Sequence, residues 1–242
     1  MIRIYVGRHS APAQWPLVLV NSPFNAINRI IMTEASSPEF LQPAFTMDDV
    51  ELVQRKSLHQ GFFTMQRLDY RHRLYDGGWS SVIQREVLFR GEAVGAVLFD
   101  PKHDLIGLVE QIRPGAMGGQ QSPWCLEVVA GMVEPGETTE EVVWRELQEE
   151  ANITPSSVEY VCEYMASPGG CDEKLHVYCA LAELSGLDGE VNGLESEGED
   201  IRLLVLPAEQ VFEHLYSGRF NNAATLIALQ WLQMNRSRLI SL

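Results

Sequence analysis

The sequence has few cysteines and few basic residues, and each shortage excludes a class of protein. Its 242 residues include four cysteines, with no CxxC pair and no histidine pair at zinc-finger spacing. We therefore predict no structural zinc site. Unpaired cysteines are typical of reduced, mostly buried thiols, so we expect a cytoplasmic protein. The 18 basic residues against 33 acidic ones give a net charge of -15, which disfavours nucleic acid and anionic membranes as partners.

Long apolar runs are also missing. None approaches the roughly 20 residues of a membrane-spanning helix, and the N-terminus carries too short an apolar run for a secretory signal peptide. We expect neither a membrane span nor a signal peptide. An acidic protein that binds an anionic substrate must recruit a local cation, and a divalent metal ion is the natural choice.

What the chain does contain is ordinary globular material, with 45% hydrophobic residues and enough apolar surface for a sizeable core. From Val50 onward the sequence predicts β-strands. They include a hairpin of "EAVGAVLFD" and "DLIGLVEQIR" and one further strand in "WCLEVVAGMVE". Helices are predicted after it and at the C-terminus. Strands in the middle with helices between and after them indicate an α+β protein, built as an α/β/α sandwich.

The strongest helix prediction begins at Thr138. Thr138 and Glu141 fit a capping box, and Asn152 can adopt the left-handed conformation that ends a helix. Glu146, Glu149 and Glu150 then share one helical face. Like charges at this spacing repel each other, and carboxylates are the ligands that hard divalent cations prefer. A solvated acidic face is the common alternative for three glutamates alone.

The wider pattern favours a functional site. It reads Gly131, five residues, Glu137, seven residues, Arg145-Glu146-Leu147, one residue, Glu149-Glu150, one residue and Asn152-Ile153. This resembles the signature of the Nudix hydrolases at every position except Asn152, where the family has glycine. Asparagine is the next residue best suited to a left-handed cap, so the departure leaves the acids in place.

The Nudix resemblance implies a Nudix fold with a mixed central sheet and metal-dependent hydrolysis of a nucleoside diphosphate linked to another group. It makes Glu146 and Glu150 the main metal ligands, with Glu149 supporting or sharing a metal ion. Arg145 would orient the acids, and the carbonyl group of Ala130 would complete the coordination. Mg²⁺ is the expected ion, and Mn²⁺ is a substitute.

The flanks resemble the ADP-ribose pyrophosphatase branch of the family. Pro168 lies fifteen residues after Ile153, and similar stretches extend from about Asp49 to the C-terminus. The resemblance implies a homodimer whose N-terminal β-region, residues 46–92, is swapped between subunits, followed by a Nudix domain over 93–242. Residues 1–45 form an extension of unknown role.

The same resemblance implies the substrate contacts. Phe62 would stack on adenine, and Arg85 and Arg113 would bind the ligand, with Arg113 near phosphate. Met132 and Glu173 are further substrate-binding candidates, and Glu173 could also help to hold metal or water. The alternatives are core packing for Phe62 and a surface ion pair for each arginine.

Attack on phosphorus needs a base that deprotonates water. The resemblance places this base in "ESEGEDIR", where alignment on "EDIR" selects Glu197, with Glu199 as the neighbouring choice. A solvated acidic turn is the alternative reading of this loop. The expected reaction converts ADP-ribose and water to AMP and ribose 5-phosphate. There are two competing functions: hydrolysis of GDP-mannose or another ADP-sugar, and non-catalytic sensing of ADP-ribose.

Overall fold

The computed structural model describes residues 41–119 and 121–242. The predicted extension over residues 1–45 therefore lies outside the described residues except for its last five positions. Phe45–Leu242 forms one compact unit. Of the helices in the described part of the chain, none has both the length and the apolar character needed to cross a bilayer.

The first strands form a small antiparallel sheet. Strands β1 (Val50–Gln60), β2 (Thr64–His72) and β3 (Ile83–Phe89) lie in sequence order, with a short turn between β1 and β2 and a longer connection between β2 and β3. All eleven residues of β1 are exposed. This sheet therefore has an unprotected edge strand within the described chain.

The second sheet has eight strands and carries the core. Its strands are β4 (Glu92–Asp100), β5 (Leu105–Ile112), β6 (Trp124–Glu127), β7 (Val129–Met132), β8 (Ser157–Met165), β9 (Lys174–Leu181), β10 (Val191–Asn192) and β11 (Ile201–Pro207). The main order is β10-β11-β5-β4-β9-β8, with β6 beside β5 and β7 beside β4. Only the β4–β9 pair is parallel among the described strands, so the sheet is mixed, as predicted.

The predicted hairpin of β4 and β5 is confirmed, but the single strand predicted for "WCLEVVAGMVE" is wrong. The segment forms two strands because β4 and β5 pair only from Leu98 to Asp100 and then diverge. β6 continues along β5, and β7 continues along β4. The backbone N–H of Val128, between them, donates to buried Thr225 Oγ1 at 3.0 Å. Strand alternation alone contains no signal for this split.

Three helices cover the large sheet: α1 (Thr139–Ala151), α2 (Ala208–Glu213) and α3 (Ala223–Ile240). One core lies between the sheet and α1, and includes Val143 and Leu147. The other lies under α2 and α3, and includes Leu229 and Leu232. Each of these fully buried aliphatic side chains contributes roughly 1.5–3 kcal/mol. The α/β/α sandwich is therefore confirmed, whereas the swapped dimer stays a prediction.

The ends of α1 follow the sequence signals. Thr138 accepts from the Glu141 N–H, and the Glu141 carboxylate accepts from the Thr138 N–H at 2.8 Å. Asn152 has φ of 52° and ends the helix in the left-handed conformation. Loss of the Thr138 cap would cost about 1 kcal/mol. These two ends fix which residues of α1 face the sheet.

Candidate active site

Helix α1 directs its acidic face at strand β7. Glu146 is 8% exposed and approaches Gly131, where an added Cβ would lie 1.8 Å from the Glu146 Oε1 atom. A side chain at Gly131 would therefore expel this carboxylate. Glycine at the first position of the motif has a steric reason in this contact.

Burial raises the pKa of Glu146 to about 7. The charges of Glu149 and Glu199 add to this rise, while Arg145 opposes it. Arg145 Nη1 donates to Glu146 Oε1 at 2.7 Å. One arginine does not compensate for the negative charge gathered around this carboxylate.

Glu150 is still more enclosed and is 2% exposed. Its Oε2 atom accepts from the Ala130 backbone N–H at 3.0 Å, and its Oε1 atom accepts from Gln111 Nε2 at 3.2 Å. Burial raises the pKa of Glu150 to about 8, against the lowering effect of the Ala130 N–H. The charge of Glu146 raises it further.

Arg145 holds the remaining acids in register. Its guanidinium group donates to Glu137, to Glu149 at 3.1 Å and to the Met132 carbonyl at 3.3 Å. Burial alone would lower the pKa of Arg145, but its bonds to these carboxylates hold it above the ordinary value. In turn, the hydrogen bond from Arg145 holds the pKa of Glu137 below its ordinary value.

The arrangement fits a divalent cation. Two buried carboxylates with raised pKa values resist ionisation because water has been removed and like charges lie close by. A dication would restore their ionised form, and carboxylate oxygens are ligands that hard dications accept. Gly131 leaves the space that the Glu146 carboxylate needs. The predicted ligands Glu146, Glu149, Glu150 and Ala130 are thus brought together.

The predicted base loop is tied to the end of α1. The Gly193 N–H donates to the Glu149 carbonyl at 3.1 Å, and Glu199 accepts from the Leu194 N–H at 3.0 Å. Glu197 belongs to a short 3-10 turn, Glu195–Glu197, and is exposed. Within the described chain the Glu197 carboxylate has no hydrogen-bond partner, whereas the Glu199 charge acts on Glu146. Both candidate bases therefore lie in a loop anchored to the acidic helix.

Arg113 directly follows β5 and is the first residue before a short 3-10 turn, Pro114–Ala116. Its Nε donates to Glu127 at 2.6 Å, so the ion pair that sequence reasoning weighed as its alternative is present. The charge of Arg113 also lowers the pKa of Glu150. The residue is thus close enough to influence the acidic cluster electrostatically.

Glu173 has a partner that sequence reasoning missed. It pairs with Arg90 at 3.2 Å, and the Arg90 guanidinium lies 4.6 Å from the centre of the Phe63 ring. Asp172 accepts from the Arg90 N–H at 2.7 Å and fastens this loop to the end of the small sheet. The sequence offers only a weak signal for this ion pair, because Arg90, the second arginine of "QREVLFRG", is far from Glu173 along the chain.

Phe62 and Arg85 belong to the small sheet. Phe62 lies in the β1–β2 turn, is 87% exposed and meets Phe63 edge to face at 4.8 Å. The core-packing alternative for Phe62 is therefore wrong for the described chain. Arg85 is exposed on β3 and donates to the Gln84 carbonyl at 2.8 Å. No hydrogen bond or ion pair between described residues joins Phe62 or Arg85 to the carboxylates of α1.

A second group with metal-ligand chemistry lies at the β4–β5 turn. It consists of Asp100, His103 and Glu183. Both Asp100 oxygens accept backbone N–H groups, including that of Leu184 at 2.9 Å, and His103 Nδ1 lies 2.9 Å from Asp100. Asp100 is five residues along β4 from the partner of Ala130, or about 16 Å. These contacts stabilise the turn, and the group is separate from the acidic helix.

Comparison with known proteins agrees with this geometry. The NUDIX domain family matches residues 89–228. An ADP-ribose pyrophosphatase of Haemophilus influenzae is 39% identical over 198 residues, covering 81% of this chain and 91% of the relative. An ADP-ribose pyrophosphatase of Escherichia coli is 40% identical over 202 residues, covering 84% and 96%.

More distant matches agree as well. A GDP-mannose pyrophosphatase of Escherichia coli is 31% identical over 189 residues, covering 77% of this chain and 96% of the relative. A solved structure described as an ADP compounds hydrolase has a TM-score of 0.61 and 20% identity, and covers 81% of this chain and 98% of that one. This structural likeness supports the fold alone. From the match of the domain and the identity across most of the chain, the protein belongs to the Nudix hydrolase family.

Proposed function

We propose that this protein hydrolyses the pyrophosphate bond of ADP-ribose, giving AMP and ribose 5-phosphate. The observation that carries the proposal is the pair of buried carboxylates, Glu146 and Glu150, which α1 packs against β7 within a Nudix domain. The substrate follows from the relatives that are about 40% identical across most of the chain and are named ADP-ribose pyrophosphatases. The alternative of a non-catalytic sensor has less support because every acid of the motif is present.

Nudix hydrolases use a divalent metal ion, and we propose Mg²⁺ here, with Mn²⁺ as a substitute. Glu146 and Glu150 would hold it, with Glu149 and the Ala130 carbonyl as further ligands. The ion would neutralise the pyrophosphate and stabilise the negative charge that develops in the transition state. This also explains how a chain of charge -15 binds an anion. Arg145 keeps the acids in place through its bonds to Glu137 and Glu149.

Glu197 is our candidate for the base. It would take a proton from the attacking water, so that the oxygen attacks phosphorus as the bond to the leaving phosphate breaks. Its free and exposed carboxylate supports this role. Glu199 is the alternative, and its charge raises the pKa of Glu146, which supports an influence on the metal ligands.

Substrate contacts are assigned to residues around the acids of α1 and on the small sheet. Arg113 would bind phosphate, and Met132, whose carbonyl accepts from Arg145, would contact the substrate beside the acids. Phe62 would stack on adenine, and its exposed ring supports this assignment because an exposed aromatic face offers a surface for a base. Arg85 and Glu173 are proposed as further ligand contacts.

We further propose a homodimer in which residues 46–92 contribute to dimerisation and substrate binding, and residues 93–242 form the catalytic domain. The support is β1, whose eleven residues are all exposed and include Leu52, Val53 and Leu58. Exposed apolar residues on a long edge strand favour association. Light scattering of the purified protein should give the mass of two chains, and Val53→Asp should shift it toward one.

A cytoplasmic location is also proposed. All four cysteines are free in the structure, which agrees with a reducing compartment. Separation of cells into cytoplasmic, envelope and secreted fractions, followed by detection of the protein in each, would locate it. Recovery in the envelope or secreted fraction would contradict this assignment.

The test of the activity is product analysis with purified protein, ADP-ribose and Mg²⁺. The expected products are AMP and ribose 5-phosphate, with none when EDTA is present. Because one relative is named a GDP-mannose pyrophosphatase, GDP-mannose should be assayed beside ADP-ribose, NADH and a diadenosine compound. Faster hydrolysis of GDP-mannose than of ADP-ribose would replace the proposed substrate with the second candidate.

A further inference from the structure

Gln111 is a buried polar residue at a position where the strand pattern calls for an apolar one. It lies on β5 two residues after Val109, so both side chains point to the same face of the sheet. Val109 belongs to the core under α1. Gln111 is 6% exposed, and a buried amide is costly unless it makes hydrogen bonds.

The amide of Gln111 is bonded to a carboxylate of the acidic cluster. Its Nε2 atom donates to Glu150 Oε1 at 3.2 Å, while the Ala130 N–H donates to Glu150 Oε2 at 3.0 Å. Each oxygen of Glu150 thus receives one N–H from the sheet, and each keeps a lone pair for another ligand. The two donors come from different strands, β5 and β7, so together they fix the plane of the carboxylate.

The charge of the donor also matters. Both nearby arginines are bonded to other acids, Arg145 to Glu146 and Arg113 to Glu127. Among the described residues, Glu150 is hydrogen-bonded only by neutral groups. A neutral amide orients a carboxylate without cancelling its charge, whereas an arginine in the same place would compete with a cation for it. A cation that binds Glu150 therefore does not have to displace an arginine from its carboxylate.

We propose that Gln111 is a positioning residue that fixes the Glu150 carboxylate for a divalent cation. It acts through Glu150 and does not touch the substrate. The inference rests on the proposed function, because it assumes that Glu150 binds the ion. Groups that orient metal ligands in this way typically change metal affinity 10–100-fold when they are removed.

The experiment measures Mn²⁺ binding to the substrate-free protein by electron paramagnetic resonance, for wild type and for Gln111→Met. Methionine keeps the length and volume of the side chain but lacks the donor. We expect the dissociation constant for Mn²⁺ to rise roughly 10–100-fold. In turnover assays the Mg²⁺ concentration at half-maximal rate should rise by a similar factor, while kcat at saturating Mg²⁺ stays within a few fold.

The matched control is Thr225→Val. Thr225 is fully buried and accepts from the Val128 N–H between β6 and β7, so its loss weakens the same sheet without touching a carboxylate. It should lower Tm and leave Mn²⁺ binding unchanged. If Gln111→Met does not fold, Gln111→Asn keeps the amide but shortens its reach by one methylene, and the same weakening is expected.

The outcomes separate this inference from the proposed function. If wild type binds Mn²⁺ and a folded Gln111 variant binds it equally well, the positioning role is wrong and the proposed function stands. If wild type binds no Mn²⁺ and hydrolyses no ADP-ribose, both are wrong. Weakened binding in the Gln111 variant with unchanged binding in Thr225→Val supports the inference.

Discussion

The two sheets of this protein differ in what covers them. In the eight-stranded sheet, helices lie on both faces, and the last seven residues of β4 are all buried. In the three-stranded sheet, no residue of β1 is buried. The buried sheet supports charges that need a dry and rigid setting, because carboxylates are perturbed most where water is excluded. The exposed sheet offers surface for a ligand or a second subunit.

This contrast divides the proposed activity. Chemistry belongs to the face of the large sheet under α1, where Glu146 and Glu150 are held by backbone and side-chain donors. Recognition of the nucleotide and of a second chain is assigned to the small sheet. Substitutions of the acids of α1 should therefore lower kcat, and substitutions on the small sheet should raise KM.

The largest effect is expected from Glu150→Gln. The amide keeps the shape of the side chain but loses the charge that binds the cation, which supplies several kcal/mol of transition-state stabilisation. We expect kcat for ADP-ribose to fall on the order of 10⁴-fold. Steady-state kinetics measures the change. Glu140→Gln, at an exposed position of the same helix, is the control and should keep normal turnover; equal activity of both variants would remove the metal site from α1.

The next effect is expected from Glu197→Gln. Loss of a general base typically costs 10²–10⁴-fold, so we expect kcat to fall on the order of 10³-fold with Mn²⁺ affinity unchanged. Glu199→Gln should instead weaken Mn²⁺ binding, since its charge acts on Glu146. Paired kinetics and binding measurements distinguish the two. The reverse pattern would exchange the roles of the two glutamates.

A smaller effect is expected on the small sheet from Phe62→Ala. Stacking of a base on an aromatic ring contributes about 1–3 kcal/mol, so KM for ADP-ribose should rise roughly 10-fold while kcat stays nearly constant. Tyr216→Ala removes another exposed aromatic ring and serves as the control. A drop in kcat without a change in KM would break the division between the two sheets.

The smallest effect is a dependence of stability on pH. The pKa values of Glu146 and Glu150 are raised to about 7 and about 8 in the folded chain, whereas unfolded glutamate titrates near 4.3. The folded state therefore holds more protons between these values, and the free energy of unfolding falls as pH rises through this window. We expect the metal-free protein to lose a few kcal/mol of stability between pH 5 and pH 9, on the order that one pKa unit, about 1.4 kcal/mol, sets for each acid.

Thermal unfolding at several pH values measures this loss, since each kcal/mol lowers Tm by roughly 2–4 °C for a domain of this size. Saturating Mg²⁺ should stabilise the protein more at pH 9 than at pH 5, because the carboxylates are then ionised and available. The double variant Glu146→Gln/Glu150→Gln should lose most of the dependence. A metal-free wild type that is equally stable at both ends of the range would contradict the raised pKa values of Glu146 and Glu150.

Much of the large sheet and of α1 followed from the sequence. Thr138, Glu141 and Asn152 predicted the ends of α1 because capping is local, and the spacing of the acids predicted their shared face. The division of "WCLEVVAGMVE" into β6 and β7 could not be predicted, since it depends on where β4 and β5 diverge. The long-range partners were also out of reach, because nothing local links Arg90 to Glu173.

Gln111 lies between these cases. A polar residue at an inward position of an apolar strand is a local signal, and it marks a residue that needs a buried partner. Its partner, Glu150, lies 39 residues away, and only the fold identifies it. The sequence thus indicates that such a residue needs a hydrogen-bond partner, and the structure shows that the partner is Glu150 Oε1.

The most direct measurement is anomalous diffraction from crystals of wild-type protein soaked in Mn²⁺ together with a non-hydrolysable ADP-ribose analogue. The account predicts a peak within about 2.0–2.3 Å of carboxylate oxygens of both Glu146 and Glu150, next to the pyrophosphate. A map with no peak at these two residues, or with its only peak at the β4–β5 turn beside Asp100, would contradict it.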